Sequence, residues 1–138
     1  MKTGYMFVLL AFLFASSAVA GEIRPYTDPL PLGEYVDDVD ALLTRAYNYD
    51  GWRPKERIDE NTYVAFISYK GYDITVRISH DNNALTLSLD SVYLTDCGQN
   101  CRNMGDSQVI QWLVNLRRTI AYEVTLAARD YLKAQAGF

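Results

Sequence analysis

Between residues 62 and 90 the apolar residues recur at every second position, a spacing that a β-strand places on one side of a sheet and a helix would scatter. Tyr72, Ile74, Val76 and Ile78 alternate with Asp73, Thr75, Arg77 and Ser79, and Leu85, Leu87 and Leu89 alternate with Thr86, Ser88 and Asp90. A preceding strand from Thr62 to Tyr69 joins the next through Lys70-Gly71, which reads as a two-residue hairpin loop. Such a loop fixes the register. It sets Tyr69 opposite Tyr72, Ile67 opposite Ile74, Ala65 opposite Val76 and Tyr63 opposite Ile78, so that one face is continuously apolar. A turn at His80-Asp81-Asn82-Asn83 places Ile78 beside Leu85 and Val76 beside Leu87 on that same face. A shorter strand from Trp52 to Ile58 forms one edge, where Pro54 lacks the amide that a central position requires.

The period changes to that of a helix on both sides of this meander. Val36, Val39, Leu42, Leu43, Ala46 and Tyr47 recur at helical spacing, with Asp37, Asp38 and Asp40 near the start and Gly51 past the end. Acidic residues in a first turn complement the helix dipole, and without a histidine beside them they are a poor metal site. After the meander, Asp106-Ser107 suit the start of a second helix with Val109, Leu113, Leu116, Ile120, Val124, Ala127 and Tyr131 on one side. At some 27 residues and about 40 Å it is longer than the roughly 26 Å of an eight-residue strand, so its last turns overhang the sheet. They either return against the first helix or offer Leu126, Tyr131 and Leu132 to a second copy, a homodimer through the C-terminal helix. The expected fold is α+β: a two-layer sandwich of helix, four-stranded antiparallel meander and long C-terminal helix, with both helices on one face.

Residues 1–20 read as a signal peptide. Lys2 supplies the basic start, Tyr5 to Ala15 the apolar run, and Ala18-Val19-Ala20 the small-x-small ending that signal peptidase accepts. The run is shorter than the roughly 20 residues of a membrane span. No later stretch is apolar over that length, so cleavage leaves no membrane span and a periplasmic or secreted protein. Residues 21–33, with Pro25, Pro29 and Pro31, read as an extended arm that is mobile unless it docks, and residues 34–138 as a single domain. The whole chain has 13 basic and 17 acidic side chains. Losing Lys2 with the leader takes the net charge from −4 to −5, which disfavours nucleic acid as a partner. Cys97 and Cys101, separated by Gly98-Gln99-Asn100, read as a local disulfide in an oxidising compartment, contributing about 2 kcal/mol by loop closure. The alternative, a redox pair, would have two intervening residues at a helix start. Two thiols and the lone His80 leave zinc short of four ligands, so neither a metal nor another cofactor is expected.

Asp90-Ser91-Val92-Tyr93-Leu94 and Trp112-Leu113-Val114-Asn115-Leu116, with Gly51-Trp52 after the first helix, carry a resemblance to an uncharacterised family of small exported bacterial proteins, mostly lipoproteins. The resemblance spans roughly residues 36–120 and implies fold and export. The family's Ile-His pair and Tyr before the tryptophan correspond here to Met104, Gly105 and Val109, and the cysteine that would take a lipid is absent, so it implies no chemistry.

A catalytic set is equally hard to assemble from the residues. His80-Asp81 falls where a hairpin turn favours polar side chains, with no nucleophile placed near it. Asp73 and Asp90 come together only at a sheet edge, without a cleft. The expectation is therefore a non-enzymatic protein that binds a macromolecular envelope partner through its open sheet face, where Val64, Phe66, Thr75, Arg77, Thr86 and Ser88 lie, or through a strand edge. The alternatives are an inhibitor of a basic cell-wall hydrolase, drawn by the negative net charge, and a small-ligand carrier using some of the eleven tyrosines.

Overall fold

The computed structural model describes residues 25–69, 71–81, 83–94 and 106–137. The expected signal peptide and both cysteines lie outside the described residues. The elements run β1 (Leu30–Pro31), a 3-10 turn (Gly33–Tyr35), α1 (Val39–Asp50), β2 (Arg53–Asp59), β3 (Thr62–Tyr69), β4 (Tyr72–Asp81), β5 (Ala84–Leu94) and α2 (Asp106–Gln135). The five strands form one antiparallel sheet in the order β1-β5-β4-β3-β2, with two helices: the expected α+β fold with one strand more.

Helix α1 begins where Asp38 leaves the extended region and its Oδ1 accepts the Ala41 amide at 3.0 Å. It ends at Gly51, whose φ of +80° lets its amide close back on the Tyr47 carbonyl at 2.8 Å. Leu42, Leu43, Ala46 and Tyr47 form its buried side. From α2 come Val109, Leu113, Leu116 and Ile120, and between the helices and the sheet these meet Ala65, Ile67, Ile74, Val76, Ile78, Leu85 and Leu87. The end of α2 returns against the rest of the fold. Arg45 pairs with Glu123 at 3.0 Å, and the Tyr131 ring meets the Tyr35 ring edge-on at 5.2 Å.

The β3–β4 hairpin has the register that Lys70-Gly71 predicts, with Tyr69 opposite Tyr72 through Tyr63 opposite Ile78. Gly71, at φ +82°, supplies the left-handed residue such a loop needs. The β4–β5 register is two residues away from the expected one: Ile78 faces Leu87 and Val76 faces Leu89. The cause is a tighter connection. His80 and Asp81 belong to the ladder, opposite Leu85 and Ala84, and only positions 82 and 83 remain between the strands, with Asn83 at φ +63°. A shift of two preserves which face each side chain takes, so the apolar side stays continuous. Strand β5 also continues past Asp90 to Leu94. Thr75 pairs with Ser91 and Val76 with Leu89, leaving Asp90 as the extra residue of a bulge.

The arm docks from residue 25 onward. Leu30 and Leu32 are buried in the core, Leu30 pairs with Leu85, and the Leu32 amide donates to the Asn83 carbonyl at 2.7 Å. Arg117 of α2 holds the arm. Its side chain is buried at 7% exposure, Nε donates to the Asp28 carbonyl at 3.0 Å, and a second nitrogen reaches the Pro29 carbonyl at 3.4 Å. Residues 25–33 are thus part of the domain's own packing.

Candidate binding surface

Alternation along β3, β4 and β5 puts one set of side chains under the helices and the other on the far side, where no described element packs. Val64, Phe66, Thr75, Arg77, Thr86 and Ser88 all fall on that outer side, as their cross-strand pairings require: Val64 with Arg77, Phe66 with Thr75, Arg77 with Ser88, and Thr86 with Ser79. Their accessibility departs from the expected open platform. Val64 is 3% exposed and Thr75 6%, Phe66 and Thr86 are half-buried, and Arg77 and Ser88 are exposed. Val64 and Thr75 thus belong to the packing beneath the surface, and Phe66, Arg77, Thr86 and Ser88 to the surface itself.

Arg77 projects from the centre of this face. Its guanidinium approaches Asp90 at 3.4 Å, with about half of one side chain and a third of the other exposed. That long, wet pair contributes little to stability, about 0–1 kcal/mol, and leaves the guanidinium able to take another carboxylate. The bulge at Asp90 brings that carboxylate to Arg77, so Asp90 and Asp73 are separated in the ladder: Asp73 sits opposite Tyr93. Phe66 is flanked by Arg53 of β2 and lines a hollow of about 190 Å³ with Gly51, Arg53, Ile67 and Ser68.

His80 takes the helix side of the sheet. Its ring stacks on Tyr63 at 6.0 Å between centroids, and its backbone amide donates to the Asn61 carbonyl at 2.9 Å. Tyr63 also carries Arg57 over its ring at 5.0 Å. Burial raises the Tyr63 hydroxyl above the ordinary tyrosine range, Arg57 pulls it partly back, and Asp40 and Asp38 push it up again. Tyr47 is raised further, by burial first and then by Asp40 and Tyr63. Asp50 is also raised by burial and partly restored by a hydrogen bond with Thr119. The expected turn position of His80 is corrected by its place in β4. A wider hollow of about 420 Å³ at this end is lined by His80, Asn61, Asp37, Asp81 and Asn83 over Leu32, Val36 and Val39. Among the described residues no three His, Cys, Asp or Glu side chains gather as a metal site, and no helix is long and apolar enough to cross a membrane.

A second surface escaped the sequence reading. At the β5 end of the sheet, Tyr26, Tyr72, Leu89, Val92, Leu94, Val109 and Ile110 line an apolar groove of about 430 Å³. Leu89, expected in the core, is 40% exposed there, and Leu94 is 63% exposed. The sequence signal was present in Val92 and Leu94, which continue the alternation of β5 once the bulge is counted. No protein-family model matches the chain, and comparison with curated proteins and with solved structures returned no match.

Proposed function

We propose that this chain is a non-enzymatic, exported binding protein, periplasmic or secreted, that engages a macromolecular envelope partner on the outer side of its sheet. One observation carries the reading. Both helices pack on one side of a five-stranded sheet to which the docked arm adds the edge strand β1, and the other side, left uncovered by any described element, presents Arg77 beside a half-buried Phe66. A guanidinium whose own carboxylate partner is weakly held, next to an aromatic ring on a rigid ladder, combines an anchor with a charge that specifies orientation. The binding residues are Phe66 and Arg77, flanked by Thr86 and supported by Val64 and Thr75.

The test is capture of native partners from the protein's own cell envelope, followed by mass spectrometry, with the Phe66→Ala/Arg77→Ala double variant as control. The expected result is a partner retained by the parent chain and lost by the variant at similar thermal stability. Equal capture by both chains removes the outer face from the function.

A further inference from the structure

The two edges of the sheet are built differently. Strand β2 carries Pro54, five charged side chains within Arg53–Asp59, and register shifts between Pro54 and Glu56 and between Arg57 and Asp59. These are the devices that keep an edge from pairing with another chain. At the other edge, β1 guards only Leu85 and Ala84 of β5. From Thr86 to Leu94 the backbone has no neighbouring strand on that side among the described residues, with Asp90 its one charge and the bulge there its one irregularity, against five charges, a proline and two shifts on β2. That open edge is about 30 Å long at ~3.4 Å per residue, and the apolar groove runs beside it on the helix side.

We infer that the β5 edge is a docking site for an extended peptide segment of a partner protein, taken up as an added strand. Unpaired amides and carbonyls in a row accept only a backbone of the same extended form. Side chains of that strand alternate between two surroundings. On the helix side they enter the groove of Leu89, Val92, Leu94, Val109 and Ile110, which suits aliphatic residues. On the outer side they pass Ser88 and Asp90, and with an acidic chain of net charge −4 this suits basic residues. The segment is therefore apolar at alternate positions and basic or hydroxylated between them. The edge borders the Phe66–Arg77 surface at Thr86, Ser88 and Asp90, but its backbone groups and apolar groove involve neither Phe66 nor Arg77.

The probe is a synthetic peptide alternating valine and lysine over about eight residues, added at up to about 1 mM to isotopically labelled protein and followed by backbone amide shifts. Shifts centred on Thr86–Leu94 and the facing Val109 and Ile110, weakened about tenfold or more by Leu89→Lys/Leu94→Lys and not weakened by Phe66→Ala/Arg77→Ala, support the inference. A version of the peptide N-methylated at alternate amides removes strand pairing without altering the protein, and its failure to bind supports it independently of any variant. Absence of shifts on β5, shifts centred on β2, or equal binding of the N-methylated peptide overturns it. So does a concentration-dependent dimer abolished by the same Lys substitutions and not displaced by the peptide, which would assign the edge to a second copy.

Discussion

Replacing Arg117 by methionine separates the arm from the rest of the fold. Methionine keeps an apolar stem of similar reach and removes the guanidinium, which is buried and has no carboxylate partner among the described residues. Hydrogen bonds from a charged group contribute about 1.5–3 kcal/mol when broken on one side. Here the bond to Asp28 is good at 3.0 Å, and that to Pro29 is weak at 3.4 Å. Relief from burying a cation returns part of the loss, so the net cost is about 1–2 kcal/mol. In a fold of this size that lowers Tm by roughly 4–8 °C. The informative readout is local: hydrogen exchange at the Leu32 amide, bonded to Asn83, accelerates by about tenfold or more, while amides along the β3–β4 hairpin change only with global stability. Arg118→Met, one position along and exposed, is the control. A Tm within about 1 °C of the parent, together with unchanged protection at Leu32, would refute the clamp.

Two further outcomes follow from local chemistry. Gly51→Ala leaves open space around the new methyl group but forces an L residue into φ +80°, so it costs about 1 kcal/mol by equilibrium urea unfolding, and a loss below about 0.3 kcal/mol would contradict the capping role. Tyr47 and Tyr63 have hydroxyls raised in the folded state, so the stability that they confer is fully present below the unfolded tyrosine value of about 10 and is lost as pH rises from there toward the folded values. Urea midpoints measured from neutral pH to about 11.5 therefore fall above about pH 10, and Tyr47→Phe flattens that decline; an unchanged alkaline slope would place the cause elsewhere.

What the residues reveal in advance depends on how far apart the causes lie. Lys70-Gly71 is a local device, and the β3–β4 register follows from it residue for residue. The β4–β5 connection is equally local, yet His80-Asp81-Asn82-Asn83 spells a four-residue turn, because a histidine and an aspartate look like turn residues when their places in a ladder are unseen. The sides of the sheet survived that shift, since two residues restore the alternation. The bulge at Asp90 hides the last residues of β5, Ser91 to Leu94: an extra residue breaks the period that reveals a strand. Strand β1 is two residues long and prolines surround it. The Arg117 clamp joins a side chain to carbonyls 88 and 89 positions away, and no spacing rule covers such a pair. The candidate surface was legible as a set of positions on one face, and its accessibility was not, because shielding of Val64 and Thr75 arises only when the strands are assembled and twisted.

The docked arm also sets an order of events in time. Its partners are Asn83, Leu85 and Arg117, so the arm has β5 to pair with before α2 packs, but it is clamped only once Arg117 of α2 is in place. Hairpins and the β2–β4 stretch close short loops and form early, whereas the arm waits on a contact of nearly the longest separation in the domain. While the arm is away, Leu30 and Leu32 are bare and β5 lacks even its short guard strand, which makes the partly folded chain most prone to misassociation before the arm falls into place.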